Sequence, residues 1–121
     1  MNILETLTLQ EKKLIKYLHV NQNQIVLHEG DICNAVYILI KGNIEIISYN
    51  IDGNEETISL LNKGDLFANA LIFSKKNKLL GEVIATQPTD LAYIEKKDLI
   101  YLLQNNLDFL IYYLNLISEK T

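Results

Sequence analysis

The side chains able to do chemistry in this sequence are few. His19 and His28 are its only imidazoles and Cys33 its only thiol. One cysteine excludes an intrachain disulfide framework, a paired-cysteine zinc site and a cysteine-ligated iron–sulfur cluster within one chain. Cys33 reads as a small structural residue rather than a reactive thiol. No Ser–His–Asp order, phosphate-cradling glycine loop or pair of cooperating carboxylates emerges. Glu55-Glu56 is most simply a solvated hairpin edge. No catalytic residue, metal ligand or cofactor is assigned, and the chain is not expected to be an enzyme.

The cationic chemistry is one-sided. All 11 basic residues are Lys, and 15 acidic residues leave a net charge of −4 and a pI near 5.1. Without arginine there is no planar fork to grip phosphate in two places. An acidic surface of this kind is a poor duplex-DNA binder, because affinity there comes from many phosphate contacts. Lys75, Lys76 and Lys78 cluster in one stretch that reads as a solvated loop.

The elements that must position these residues follow from length and periodicity. A chain of 121 residues, 49 % hydrophobic and 21 % charged, predicts one globular domain. Its first residues carry no basic segment followed by an apolar stretch, so no signal peptide is read. No apolar run approaches the ~20 residues of a membrane span. A cytoplasmic location is expected. Thr8 and Glu11 form a capping-box pattern, and Leu14, Ile15 and Leu18 recur at helical spacing. Residues 1–21 are therefore expected to form an N-terminal helix that ends near Asn21.

The middle changes period. Glycines at 30, 42, 53 and 64 sit in turn-like surroundings and separate runs rich in Ile, Val, Tyr and Leu. The expected strands are 24–28, 35–40, 44–49, 56–61, 82–86 and 91–94. Short strands at this spacing predict an all-β sandwich or barrel over 22–95. Asp52-Gly53 marks a hairpin. Pro88 falls in a connection, where it breaks no ladder.

Residues 96–121 turn helical again, first over 98–103, closing near Asn105-Asn106, then over about 107–118. In the second helix Leu107, Leu110, Ile111, Leu114 and Ile117 share one face. Phe109, Tyr112, Tyr113 and Leu116 form much of the other. A helix apolar nearly all round needs burial on two sides. One side is expected to pack on the β domain and the other on a second subunit, with a further stretch of chain as the rival partner.

Several of these stretches together resemble a known family. His28-Glu29-Gly30-Asp31 resembles its "x-E-G-D" turn. Val36 to Ile44, with Tyr37 and Gly42, resembles its "hydrophobic-Y/F-x-hydrophobic-x-x-G-x-hydrophobic" pattern. Asp52-Gly53-Asn54-Glu55 resembles its hairpin, and Leu60 to Phe67 resembles its "L-x-x-G-D-x-F-G-E". The order and spacing, over nearly all of the chain, resemble the N-terminal effector domain of Crp/Fnr-type bacterial transcription regulators. The resemblance implies a single cyclic-nucleotide-binding-like sensor domain over 1–121. Its fold would be mostly β, a double-stranded β-helix (jelly roll) of about eight strands. It also implies a homodimer through the long helix. DNA is then contacted only through a C-terminal helix-turn-helix domain expected beyond residue 121. The alternative is a stand-alone small-molecule-binding regulatory module of the same fold. Jelly rolls also host metal enzymes of the cupin type, but neither histidine here lies in a His-x-His pair. Some relatives bind haem, yet His28 or Cys33 alone is a weak signal for it.

The resemblance also locates an effector pocket. Cyclic-nucleotide binders of this fold use a glycine whose backbone approaches the phosphate, a glutamate on the ribose, and an arginine with a small neighbour on the phosphate. Here Ala68 stands for the glycine and Asn69 for the glutamate. Counting back from Val83-Ile84-Ala85, Leu79 and Leu80 stand for the arginine and its neighbour. A buried phosphate without a cation and donors costs more in desolvation than it returns. Useful binding of cyclic AMP or cyclic GMP is therefore not expected. The pocket is expected to be lined by Phe67, Ala68, Asn69, Ala70, Leu71, Leu79 and Leu80, with Phe73 nearby. It would suit a small apolar or aromatic effector, or be filled by its own side chains.

Overall fold

Two four-stranded antiparallel sheets lie face to face, and two helices close the outer side of one of them. The computed structural model describes residues 2–49, 52–53, 55–69 and 71–119. Eight strands are formed among them: β1 (Lys16–Val20), β2 (Ile25–Leu27), β3 (Ala35–Lys41), β4 (Ile44–Tyr49), β5 (Glu55–Leu60), β6 (Leu66–Phe67), β7 (Glu82–Ala85) and β8 (Thr89–Glu95). They are followed by α1 (Lys96–Asn105) and α2 (Leu107–Ser118). The first sheet has the order β1-β8-β3-β6 and the second β2-β7-β4-β5. Each sheet takes strands from both ends of the roll, as the expected jelly roll requires.

Alternation along the strands divides the core in two. On β3, Val36 and Ile38 face the helices together with Ala92 and Ile94 of β8. Leu39 faces the second sheet with Leu91, and there meets Ile44, Val83 and Ala85. A period of two sends successive side chains to opposite faces, so residues 35–40 of β3 and 91–94 of β8 form continuous apolar runs because both of their faces are covered. The helix-side core is completed by Leu99 and Leu102 of α1, Phe109 and Tyr113 of α2, and Ile3.

The expected N-terminal helix is not formed. Two 3₁₀ turns, Ile3–Thr6 and Glu11–Leu14, lead into β1. The capping box itself is present: Thr8 Oγ1 accepts from the Glu11 amide at 3.1 Å, and Glu11 Oε1 accepts from the Thr8 amide at 2.9 Å. It opens a single turn. Beyond it, β8 offers an unpaired edge, and Lys16 to Val20 pair with Tyr93 to Thr89 along it. A helix of a few turns gains little by itself, whereas Tyr17, His19 and Val20 suit a strand with a partner waiting. His19 consequently lies on β1, its Nδ1 2.7 Å from Asp90 Oδ1, and not at a helix end. His28 lies in the turn just after β2. The two-residue β6 also escaped sequence reading, being too short for any period. The hairpin at Asp52-Gly53 joins β4 to β5, with Gly53 at φ +82°.

One tight junction depends on glycine. Gly42, at φ +106°, lies against the Thr89 side chain, with the Pro88 carbonyl 2.6 Å from where a Cβ would stand. Around it Thr89 Oγ1 receives the Asn43 amide at 3.0 Å and donates to the Gln87 carbonyl at 2.8 Å. The Asn43 side-chain amide donates to Thr86 Oγ1. This cluster fixes the β3–β4 turn against the start of β8.

Candidate functional site

The segment between β6 and β7 carries most of the residues expected in the effector pocket, and it is pinned at several points. Its base is an x-x-G-D turn: Asp65 Oδ2 accepts from the Asn62 amide at 2.9 Å, Gly64 has φ +89°, and the Gly64 amide donates to the Leu39 carbonyl at 2.7 Å. The same device occurs at 28–31, where Asp31 Oδ2 accepts from the His28 amide at 2.9 Å and Gly30 has φ +88°. These two turns are the "G-D" motifs of the sequence, and each aspartate closes its own loop. The second turn then holds the far end of the segment. The Leu79 amide donates to the Asp31 carbonyl at 2.9 Å, Gly30 donates back to the Leu79 carbonyl at 2.9 Å, and Cys33 donates to the Asn77 carbonyl at 2.7 Å.

Within this frame the expected pocket residues separate. Phe67, on β6 opposite Tyr37, is buried in the core between the sheets. Ala68 follows at φ +64°, a left-handed conformation that ordinarily falls to glycine. Asn69 is half-buried, and Leu79 is buried. Leu71 and Leu80 instead line an open cleft, Leu80 being 73 % exposed. Phe73 is also exposed, with the Lys96 ammonium 5.4 Å from its ring centroid. Ile72, between them, is fully buried in the helix-side core and anchors the segment. Ala70 lies outside the described residues. The six described residues of this set thus separate between the interior and an outer cleft. Phe67 and Leu79 turn inward, and Leu71 and Leu80 line the outer cleft.

Sequence reasoning missed an aromatic row beside Phe67. Tyr37 stacks on Phe67 at 5.2 Å between centroids and on Tyr93 at 5.4 Å, so three rings cross β6, β3 and β8. Tyr37 shares the period-two register of Leu39, and that alternation is visible in the sequence. Its cross-strand partners are set by strand pairing, which is not. Burial pushes the Tyr37 hydroxyl above its ordinary pKa, helped by the neighbouring Tyr93, Cys33 and Asp31. Burial likewise raises the Cys33 thiol, and the Asp31 charge adds to it. A thiol held protonated is a poor nucleophile and a poor ligand.

The face of α2 expected to meet a second subunit points away from the sheets. Leu107, Ile111 and Leu114 are 71 %, 50 % and 47 % exposed, and Leu110 is half-buried. Ile117 is shared, half-buried against the helix-side core. Phe109 and Tyr113 face inward and stack at 6.2 Å. Where α2 begins, Asn106 makes three contacts. Its Oδ1 accepts from the Phe109 amide at 2.9 Å, and its Nδ2 donates to the Thr6 carbonyl at 3.0 Å and to Glu11 Oε1 at 2.8 Å. The Thr8 backbone hydrogen bond chiefly holds the Glu11 carboxyl below its ordinary pKa against the opposing effect of burial, with smaller help from Asn106 and the Thr8 hydroxyl. No helix among the described residues is long and apolar enough to cross a membrane.

A roll of two four-stranded sheets, a pinned β6–β7 segment and a closing pair of helices define a jelly-roll domain capped by helices. Comparison with known proteins agrees: residues 17–106 match the cyclic nucleotide-binding domain, and the chain belongs to that family. It is 27 % identical over 101 residues to the cAMP-activated global transcriptional regulator CRP of Pasteurella multocida, covering 81 % of this chain and 48 % of that protein. The chain therefore spans about half the length of this curated relative. Among solved structures it shares the fold of a transcriptional regulator from Thermotoga maritima, with a TM-score of 0.82 at 23 % identity over 94 % of this chain and 89 % of that one. It also shares the fold of the sensor domain of the transcriptional regulator DNR from Pseudomonas aeruginosa, with a TM-score of 0.79 at 21 % identity over 98 % and 81 %. The resemblance to Crp/Fnr-type effector domains drawn from the motifs is borne out, and so is the mostly β jelly roll.

Proposed function

We propose that this chain is the effector-sensing and dimerisation domain of a Crp/Fnr-type bacterial transcription regulator that does not respond to cyclic AMP. The observation that carries the reading is Leu79. At the position where cyclic-nucleotide binders resembling this chain keep an arginine on the phosphate, a buried aliphatic side chain stands here. Ala68 and Asn69 alter the other two polar determinants. A buried cyclic phosphate would have no cation beside it, and its desolvation would go uncompensated.

The sensing reading rests on the pinned β6–β7 segment, and the dimer on the outward aliphatic face of α2. In a cytoplasmic regulator of this kind, effector binding biases the angle between the two copies of α2, and DNA is contacted through a further domain. Calorimetry with cyclic AMP and cyclic GMP tests the first part. No heat of a low-micromolar or tighter complex is expected, and a dissociation constant in that range would refute it. Native mass spectrometry of the protein as purified tests for a retained effector directly.

A further inference from the structure

The densest positive charge of this acidic protein lies on the outside of the β6–β7 segment. Lys75, Lys76 and Lys78 fall within four residues, and no acidic residue occurs from Leu71 to Gly81. The three lysines line a cleft of about 630 Å³ together with Leu71 and Leu80, and its exposed lining is mainly apolar. Among the described residues, none of the three ammonium groups is held in an ion pair. The carboxylate of Asp31, in the turn bonded to this segment, is turned to the His28 amide. The cleft takes Leu71 and Leu80 from the expected effector set but leaves out Phe67, Ala68, Asn69 and the buried Leu79, so it lies on the outer side of that segment and not in the interior.

We propose that this cleft binds a small amphiphilic anion, a carboxylate or phosphate headgroup on a short alkyl or aryl tail. Its volume lies within the range of about 300–1,000 Å³ usual for small-molecule sites. Lysine ammonium groups are compact point charges on flexible stems, suited to a headgroup met from several sides rather than to a planar two-point grip. Leu80 stands in solvent at 73 % exposure, and a tail laid over it and Leu71 removes apolar surface from water. The wall is already rigid, since residues 77–79 are stapled to 30–33 by three backbone hydrogen bonds and Ile72 is anchored in the core. The ligand therefore meets a largely preorganised surface. This site stands whether or not the interior binds an effector. Nucleotide binding inside would overturn the function proposed above and leave this inference untouched.

Calorimetric titration with decanoate as probe tests it, with inorganic phosphate and decanol as the half-ligands. Decanoate is expected to bind one-to-one at submillimolar concentration, and each half-ligand at least tenfold more weakly. The combined Lys75→Gln, Lys76→Gln and Lys78→Gln variant should weaken decanoate at least tenfold, and added salt should weaken the native protein in the same direction. Leu80→Asn, which keeps every charge, should weaken it at least threefold, with thermal melting as the check that both variants fold. No saturable binding below 5 mM overturns the proposal. So does unchanged affinity in either variant, or equal affinity for decanol. Binding to phosphatidylglycerol vesicles without binding of free decanoate overturns it too, because the patch would then be a membrane-facing surface.

Discussion

Replacing Asn106 tests how the helical pair is tied to the rest of the molecule. Asn106 sits at φ −134°, ψ 102°, extended backbone between α1 and α2, and its side chain joins three segments. Asn106→Ala removes the N-cap of α2, a loss of about 1 kcal/mol. It orphans the half-buried Thr6 carbonyl, roughly another 1 kcal/mol. It also removes the donor to Glu11, about 0.5 kcal/mol, since that carboxylate is partly solvated. The total is about 2–3 kcal/mol. At roughly 3–5 °C per kcal/mol for a domain of this size, the midpoint should fall by about 6–15 °C. Asn106→Ser keeps an acceptor for the Phe109 amide but loses both donors, so it should lie between the native protein and Ala. Asn106→Asp also caps, yet it sets a second carboxylate where Glu11 Oε1 stands 2.8 Å away, and it should be no better than Ser. The pH dependence has a definite sign. The Glu11 carboxyl is lowered in the fold, so its contribution is present above its unfolded pKa and is lost as pH falls through its folded one. Asn106→Ala should therefore differ less from the native protein at acid pH than at neutral pH. Urea or thermal unfolding followed by circular dichroism reads all of this. A loss under about 0.5 kcal/mol for Ala, or an Asp variant equal to native, would refute the three-way tie.

Ala68→Gly relieves a left-handed alanine at φ +64° and should stabilise by about 0.5–1 kcal/mol after the greater freedom of the unfolded glycine is counted, measured by denaturant unfolding. Gly42→Ala places a methyl against Thr89 and 2.6 Å from the Pro88 carbonyl at a positive φ, and should cost about 3 kcal/mol or more in the same measurement. Ile111→Lys combined with Leu114→Lys charges the outward face of α2. Sedimentation equilibrium should show a dimer for the native protein and a monomer for the variant, with unchanged circular dichroism because both positions are half exposed. A native monomer at high concentration would count against the dimer helix.

What could be read in the sequence was whatever local chemistry decides. The x-x-G-D turns, the Asp52-Gly53 hairpin, the α1–α2 break at Asn106 and the two faces of α2 all follow from residues within a few positions of one another. β1 failed the same reading because a local signal was outbid by a distant one. Leu14, Ile15 and Leu18 fit a helix, but the open edge of β8, 69 to 77 residues away across the pairs Val20–Thr89 to Lys16–Tyr93, takes Lys16 to Val20 as a strand. The Tyr37–Phe67–Tyr93 row was hidden for the same reason, since its three members meet only through strand register.

The site shows where legibility changes character. The replacement of a phosphate arginine by Leu79 is a statement about one position and could be read directly. That Leu79 turns inward while Leu80 stands in solvent could not, because it depends on the backbone bonds of Leu79 to Gly30 and Asp31. Those bonds separate the two leucines by face, and with them the apolar interior from the lysine-lined exterior. In an arginine-free chain the segment's cations are Lys75, Lys76 and Lys78, on the outer side of that division. Leu79→Arg alone therefore should not restore cyclic-nucleotide binding. The chain still lacks the glycine and glutamate, and a lone buried guanidinium costs stability without a partner. Calorimetry of that variant with cyclic AMP, beside its melting curve, should show a less stable protein and no low-micromolar complex. Tight binding would mean that the inward pocket was missing only its cation.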